Sequence, residues 1–415
     1  MAELLETQEA PRRAALVAVQ LPGVSESDLT RSLTELARLA QTLGVTVIGQ
    51  PITQRRDALD PGAVVGSGKL EELAILVEGG TVDLLLLDHD VSPSQARNLE
   101  KATGAEVLDR TAVILEIFRR HARSRAAKAQ VEIVRLKYLA PRLREQGKGK
   151  GDRQRGGIGG KGAGESKMEL DRRKIRDRIA ELEDELERIE SERRTQRARR
   201  QDSARVALVG YTNAGKSTLM RALTHSDVYI ADKLFATLDT TVRTLDPPTV
   251  PKILLSDTVG FIEKLPHDLV ASFKSTLDEA LEASLLLHVV DASDPAHARH
   301  IAVTEAVLGE IGAGAVPTRL VLNKIDRLSS EDIAALAARW PQAFLISAIR
   351  PADVARLRDE LQAHFASALV EREIYVPWSE QARRAAIFAA CQVLEERAGE
   401  DGVVFRVRAP SGFAG

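Results

Sequence analysis

Over residues 14 to about 110, short apolar runs alternate with amphipathic stretches. Residues 14–19, 45–48, 82–87 and 106–108 read as strands, and 27–43, 69–78 and 93–103 carry helical spacing. Strands alternating with helices predict an α/β domain with a mainly parallel sheet. Residues 111–143 then lose the strand signal. Ala129, Ile133, Leu136 and Ala140 share one helical face, and Pro141 is expected to end that helix. A second helix is expected from about 166 to 200, with Ile175, Ile179, Leu182, Leu186 and Ile189 at alternating spacings of four and three, a coiled-coil seam. The two helices predict an antiparallel hairpin. The segment that joins them, 146–164, is nearly half glycine, with Lys148, Lys150, Arg153, Arg155 and Lys161 interleaved.

A second α/β pattern begins at Arg205. Residues 205–209, 252–256, 285–290, 319–322 and 343–346 read as strands with helices between them, the last at about 352–369. Residues 373–408 show two strand-like runs around an amphipathic helix at 380–396, too short to bury much core alone. No internal repeat is present. The resulting divisions are an N-terminal α/β domain (1–110), a helical hairpin (111–203), a second α/β domain (204–370) and a small α+β C-terminal domain (371–415).

Composition narrows the function. The 415 residues carry 58 Lys plus Arg against 60 Asp plus Glu, so a globally basic nucleic-acid binder is not indicated, although net charge conceals local patches. Aromatic content of 4% argues against stacking platforms for single-stranded nucleic acid. Cys391 is the single cysteine, which excludes an intramolecular disulfide and multi-cysteine metal sites. The first eight residues lack the pattern of a secretory signal, and no apolar run reaches membrane-span length. The expectation is a cytoplasmic protein without a membrane span.

The chemistry is concentrated in the second α/β pattern. Gly210, Tyr211, Thr212, Asn213, Ala214, Gly215, Lys216, Ser217 and Thr218 form G-x-x-x-x-G-K-S-T between a strand and a helix, the context a P-loop requires. Its backbone N–H groups and helix N-terminus suit phosphate oxygens, Lys216 suits the β- and γ-phosphates, and Ser217 can ligate Mg²⁺. Gly66-Ser67-Gly68-Lys69 is a decoy. Ala63 occupies the first glycine position and Leu70 the metal-binding hydroxyl position, so it reads as a turn opening a helix. Asp257, Thr258, Val259 and Gly260 form D-x-x-G, with Asp257 toward Mg²⁺ through water and the Gly260 N–H toward the γ-phosphate. Asn323, Lys324, Ile325 and Asp326 form N-K-x-D, whose terminal carboxylate can accept from guanine N1–H and N2–H₂ and so selects guanine over adenine. Ser347 and Ala348 follow the last strand and suit a backbone contact to guanine O6. Four elements in this order, each at a strand end, specify a P-loop GTPase domain on a doubly wound, mostly parallel sheet.

The chain resembles the HflX family of translation-factor-class GTPases. The resemblance rests on G-Y-T-N-A-G-K-S, on F-A-T-L-D at Phe235, Ala236, Thr237, Leu238 and Asp239, on D-T-V-G-F and N-K-I-D, and on the glycine segment 156–166 with Asp171-Arg172-Arg173 downstream. It implies that Phe235 to Asp239 join the nucleotide site. It also makes Thr237 the switch I threonine that completes the Mg²⁺ shell, where sequence chemistry alone leaves Thr237, Thr240 and Thr241 open. The catalytic set is then Lys216, Thr237 and Gly260, with Ser217, Thr237 and Asp257 around the metal. Phe261 stands where Ras-type GTPases hold a water-orienting glutamine, and a phenyl ring cannot orient water. Either it packs into the core, or a partner completes the site. The glycine–lysine segment is either a solvated linker or a probe for RNA phosphate, and the resemblance favours the probe. It further implies binding of the 50S subunit, splitting or rescue of stalled 70S ribosomes under stress, and stimulation of hydrolysis by the ribosome. A monomer is expected, with peripheral association with ribosomes or membrane. Two other readings stay open: a switch with a non-ribosomal protein partner, and an RNA-remodelling NTPase. His288, His267 and Cys391 read as packing or capping residues.

Overall fold

The computed structural model describes residues 12–146, 163–198, 203–226, 234–264, 269, 274–409 and 413. The chain divides into two compact units, Met1–Leu186 and Glu187–Gly415.

The first unit runs β1 (Arg13–Gln20), α1 (Glu26–Thr42), β2 (Thr46–Val47), β3 (Ile52–Arg55), α2 (Ser67–Glu78), β4 (Leu84–Leu87), α3 (Pro93–Thr103), β5 (Glu106–Asp109), α4 (Arg110–His121), α5 (Arg125–Gln146) and α6 (Ala163–Ala198). Its strands are all parallel, in the order β2-β1-β4-β5, with β3 also on β1. β2 and β3 pair with successive parts of β1, so they form one edge strand broken at Gly49 to Pro51, where proline has no N–H to give the ladder. β1 and β4 read as continuous apolar runs because both faces are covered, as parallel sheets require. The Gly66-Ser67-Gly68-Lys69 segment opens α2, with Gly66 as its N-cap.

Residues 111–143 form two helices rather than one. The break falls at Ala122 to Ser124, where the Ser124 hydroxyl caps α5 by accepting from the Ala127 N–H at 3.1 Å. Pro141 does not end α5, which continues to Gln146. A proline removes one helical hydrogen bond without forbidding continuation, and packing opposes its cost. Ala129 and Ile133 of α5 pack on Leu182 of α6, with Leu136, Ile179 and Leu186 around them. Arg125–Glu185 (2.8 Å) and Lys137–Glu183 (3.0 Å) flank this seam. Asp109, at the end of β5, ties α5 to the sheet. It accepts from the Tyr138 hydroxyl at 2.7 Å and from Arg142 at 2.8 Å, and it also caps α4 through the Ala112 N–H. Arg142 reaches on to the Val91 carbonyl.

The second unit contains β6 (Ala204–Val209), α7 (Lys216–Thr224), β7 (Thr241–Thr244), β8 (Ile253–Asp257), α8 (Lys274–Leu281), β9 (Leu285–Asp291), α9 (His297–Glu310), β10 (Thr318–Asn323), α10 (Ser330–Arg339), β11 (Phe344–Leu345), α11 (Pro351–Ser367), β12 (Val370–Pro377), α12 (Gln381–Ala390), β13 (Gln392–Ala398) and β14 (Gly402–Ala409). Its six-stranded sheet has the order β11-β10-β9-β6-β8-β7, parallel except for the edge strand β7. Connections leave β6 in one direction and return on its other side, so the strand order reverses there. That reversal opens a crevice at the carboxyl ends of the strands, where doubly wound sheets bind ligands. α7 and α11 cover one face through Leu219, Met220, Leu223, Val354, Leu357 and Leu361. On the other face, Val290 and Leu322 meet Leu336 of α10.

The expected helix 380–396 is corrected at its C-terminal half. α12 stops at Ala390, Cys391 is extended, and Gln392–Ala398 pairs antiparallel with β14. β12-β14-β13 form a three-stranded sheet over a small core of Ile374, Val376, Ile387, Cys391, Val403 and Phe405. Cys391 packs in that core, as the sequence suggested.

Candidate functional site

β6 ends at Val209 and the chain enters the P-loop at Gly210, whose φ is +144°. A Cβ there would lie 2.1 Å from the Val289 carbonyl oxygen, so only glycine allows the loop to pass this close to β9. The loop then closes onto the N-terminus of α7, which begins at Lys216. Lys216 Nζ donates to the carbonyls of Gly210 (3.0 Å) and Tyr211 (2.9 Å). Burial pushes its ammonium down to about 8, while Asp257 pulls in the opposite direction.

β8 delivers Asp257 beside this helix. Ser217 Oγ donates to Asp257 Oδ2 at 2.7 Å, Thr237 Oγ1 donates to the same oxygen at 3.0 Å, and the two hydroxyls lie 2.8 Å apart. The structure therefore brings Thr237 to the cluster, whereas Thr241 opens β7. Asp257 Oδ1 is buried and has no hydrogen-bond partner among the described residues. Burial pushes the Asp257 carboxyl up, and Lys216 and the two hydroxyls oppose it. Three hard oxygen donors around an orphaned carboxylate oxygen fit a small divalent cation.

The D-T-V-G-F segment is stitched to the P-loop. Thr212 N–H donates to the Phe261 carbonyl (2.8 Å) and Phe261 N–H to the Gly210 carbonyl (3.1 Å). The Thr258 hydroxyl donates to the Leu208 carbonyl at 2.7 Å. The Phe261 side chain is buried.

The N-K-I-D segment at the end of β10 meets the same loop. Asn323 Nδ2 donates to the Ala214 carbonyl (2.9 Å), and its Oδ1 accepts from Ala348 N–H (2.9 Å). Lys324 Nζ donates to the Asn213 carbonyl at 2.8 Å. The Ser347 hydroxyl donates to Asp326 Oδ1 at 2.5 Å. The expected Ser347–Ala348 contact with guanine meets a constraint. Ser347 N–H is engaged by Asp353 (2.9 Å) and Ala348 N–H by Asn323.

Three functional positions escaped the sequence reading. Asp291, the last residue of β9, holds Lys324 Nζ at 2.7 Å and is itself held by the Ser293 N–H and hydroxyl. Asp353 fixes the 347–348 turn. Tyr211 uses its side chain as well as its backbone, accepting from Glu263 N–H at 2.8 Å and stacking on His300 at 3.9 Å between centroids. An acid closing a strand beside a phosphate loop was the available signal for Asp291. His267, Lys148, Lys150, Arg153, Arg155 and Lys161 lie outside the described residues.

His288 sits mid-strand in β9, buried, with Nε2 unpartnered among the described residues. Burial, then Lys216, pushes it down to about 4. A histidine that titrates at 6.5 when unfolded and near 4 when folded leaves stability intact above 6.5. Stability is then lost as pH falls toward 4, by up to about 3 kcal/mol. His288→Leu is expected to flatten that acid-side loss, measured as urea midpoints from about pH 7 to about pH 4.5.

Profiles of three domain families match in series: "GTP-binding GTPase N-terminal" over residues 30–119, "GTP-binding GTPase Middle Region" over 121–200, and "50S ribosome-binding GTPase" over 205–324. GTPase HflX of Gluconacetobacter diazotrophicus is 51% identical over 98% of this chain and 97% of its own length. The chain belongs to the HflX family of GTPases. GTPase HflX of Escherichia coli K12 is 41% identical over 98% of this chain and 96% of its own length. A crystal structure of SsGBP with GDP aligns at 24% identity and a TM-score of 0.47, over 85% of this chain and 99% of that one. As an HflX-type P-loop GTPase, the chain binds guanine nucleotide and hydrolyses GTP. Among the described residues, no helix is long and apolar enough to cross a membrane.

Proposed function

We propose that this GTPase is a ribosome-activated enzyme that binds the 50S subunit and splits or rescues stalled 70S ribosomes under stress. Its domains divide as 1–110, 111–203, 204–370 and 371–415, and it works as a cytoplasmic monomer. The observation that carries this reading is the buried Phe261, held by backbone bonds to the P-loop at the position of a water-orienting side chain. Such a site binds GTP but lacks its own means of orienting the attacking water, so hydrolysis waits for a partner. The identity of the partner is supported by the ribosome-binding family profile and by the basic glycine segment, whose five cations suit RNA phosphate.

In this reading, Asp326 takes guanine N1–H and N2–H₂, and the P-loop N–H groups from Asn213 to Thr218 take the phosphates. Lys216 leaves the Gly210 and Tyr211 carbonyls for the β- and γ-phosphates. Ser217 and Thr237 hold Mg²⁺ directly and Asp257 holds it through water; the ion when bound neutralises charge on the β- and γ-oxygens. Gly260 N–H senses the γ-phosphate. Water attacks the γ-phosphorus in line, and GDP leaves. Loss of γ-phosphate frees the Thr237 segment and ends the ribosome-bound state.

The test is GTP turnover of the full chain with and without 50S subunits and 70S particles at two salt concentrations, alongside a deletion of residues 147–162. Stimulation of about tenfold or more, reduced by salt and lost with the deletion, is expected. Equal turnover in all samples would reject the ribosome as activator. Stimulation that survives the deletion would favour a different contact surface.

A further inference from the structure

The hydroxyls around the P-loop are engaged in a consistent way, with one exception. Ser217 and Thr237 donate to Asp257, Thr258 donates to Leu208, Ser347 donates to Asp326, and the Tyr211 phenol accepts from Glu263. Thr212 Oγ1 has no hydrogen-bond partner among the described residues, although Thr212 is only 7% exposed. An orphaned buried hydroxyl costs roughly 1–3 kcal/mol, and valine has the same shape without the cost. A hydroxyl retained in such a place calls for a partner that the protein itself does not supply.

The backbone around Thr212 locates that partner. Thr212 follows Gly210 and Tyr211, the two residues whose carbonyls hold Lys216 Nζ. Its own N–H is bonded to the Phe261 carbonyl, directly beside the residue that cannot orient water. A Cβ built on Gly260 would lie 2.9 Å from Thr212 Cα, 2.9 Å from Thr212 Cγ2 and 3.1 Å from Lys216 Nζ. Thr212, Gly260 and Lys216 thus converge on one point, the place assigned above to the γ-phosphate.

We propose that Thr212 is a further catalytic residue, whose hydroxyl donates a hydrogen bond to a non-bridging γ-phosphoryl oxygen as that group becomes planar during transfer to water. Most of the protein's neutralising power comes from Lys216, the loop N–H groups and the metal ion. Thr212 adds a neutral donor on the side where Phe261 supplies none. Its bond forms no covalent link and moves no proton to the protein. The inference rests on the γ-phosphate placement proposed above.

The test compares full-length wild type, Thr212→Val and Thr212→Ser. Three quantities are read: single-turnover GTP hydrolysis, GDP affinity, and affinity for GDP with aluminium fluoride and Mg²⁺, which mimics the planar phosphoryl group. Thr212→Val is expected to slow hydrolysis by about 10–100-fold, within the range for removing one preorganised donor, and to weaken the aluminium fluoride complex by a similar factor. GDP affinity should stay within about twofold, and Thr212→Ser should restore both properties. Wild-type hydrolysis in Thr212→Val overturns the proposal. Equal loss in the valine and serine variants, or parallel loss of GDP affinity, assigns Thr212 a packing role and also overturns it. Lys216→Ala separates the underlying reading: if that variant keeps wild-type GTP affinity, the γ-phosphate lies elsewhere, whatever Thr212 does.

Discussion

Replacing Asp326 by asparagine is expected to lower kcat/KM for GTP by about 10³ and to make xanthosine triphosphate the better substrate. The ionised carboxylate only accepts hydrogen bonds, and the guanine edge presents two donors, N1–H and N2–H₂. Asparagine keeps one acceptor and turns an amide donor toward the other, so one guanine donor meets a donor in a desolvated site. Xanthine replaces N2–H₂ with a carbonyl, which matches that amide. The geometry limits relaxation around the change. Asp326 Oδ1 is held by the Ser347 hydroxyl, Asn323 is pinned between Ala214 and Ala348, and Lys324 is fixed between Asn213 and Asp291. The segment cannot swing away to find a second arrangement. Steady-state kinetics with both triphosphates check the result. Unchanged kcat/KM for GTP, or loss of GTP turnover without gain for the xanthine nucleotide, would remove Asp326 from base recognition.

The G motifs were legible because phosphate and base chemistry dictate residue type, spacing and position at a strand end together. The expected strand 205–209 falls within Ala204–Val209, and 319–322 within Thr318–Asn323. Interactions that span the sequence without a spacing rule were not legible. Asp291 lies 33 positions from Lys324, and a single acid after an apolar strand looks like any loop acid until the two are brought to 2.7 Å. Thr237 could not be separated from Thr240 and Thr241 by chemistry, and distance to Ser217 and Asp257 separates them. In the last 45 residues, tertiary pairing overrode local preference. Gln392–Ala398 contains glutamates and arginine, which favour a helix, yet it forms a strand because β14 offers a full antiparallel ladder. Its Arg397–Glu395 and Arg384–Glu396 pairs place those charges at the surface of the sheet.

Lys216→Ala is expected to reduce GTP turnover by about 10²–10³ while leaving the thermal midpoint unchanged or raised. The two effects have one origin. In the nucleotide-free loop the ammonium is already stripped of water and held only by the Gly210 and Tyr211 carbonyls, and burial has pushed it down to about 8. A buried cation satisfied by neutral carbonyls costs the fold free energy, so its removal does not unfold the protein. The same desolvation strengthens its attraction to phosphate, because no shell of water has to be displaced when the anion arrives. Arginine will not substitute. A Cβ on Gly260 would come within 3.1 Å of Nζ, so the wall beside the ammonium has no room for a planar guanidinium. Calorimetric titration with GDP and a non-hydrolysable GTP analogue, beside differential scanning calorimetry, tests both halves. A marked fall in the midpoint of Lys216→Ala would mean that the lysine is a structural strut of the loop, and near-normal turnover would mean that the backbone N–H groups and the metal ion carry the phosphate charge without it.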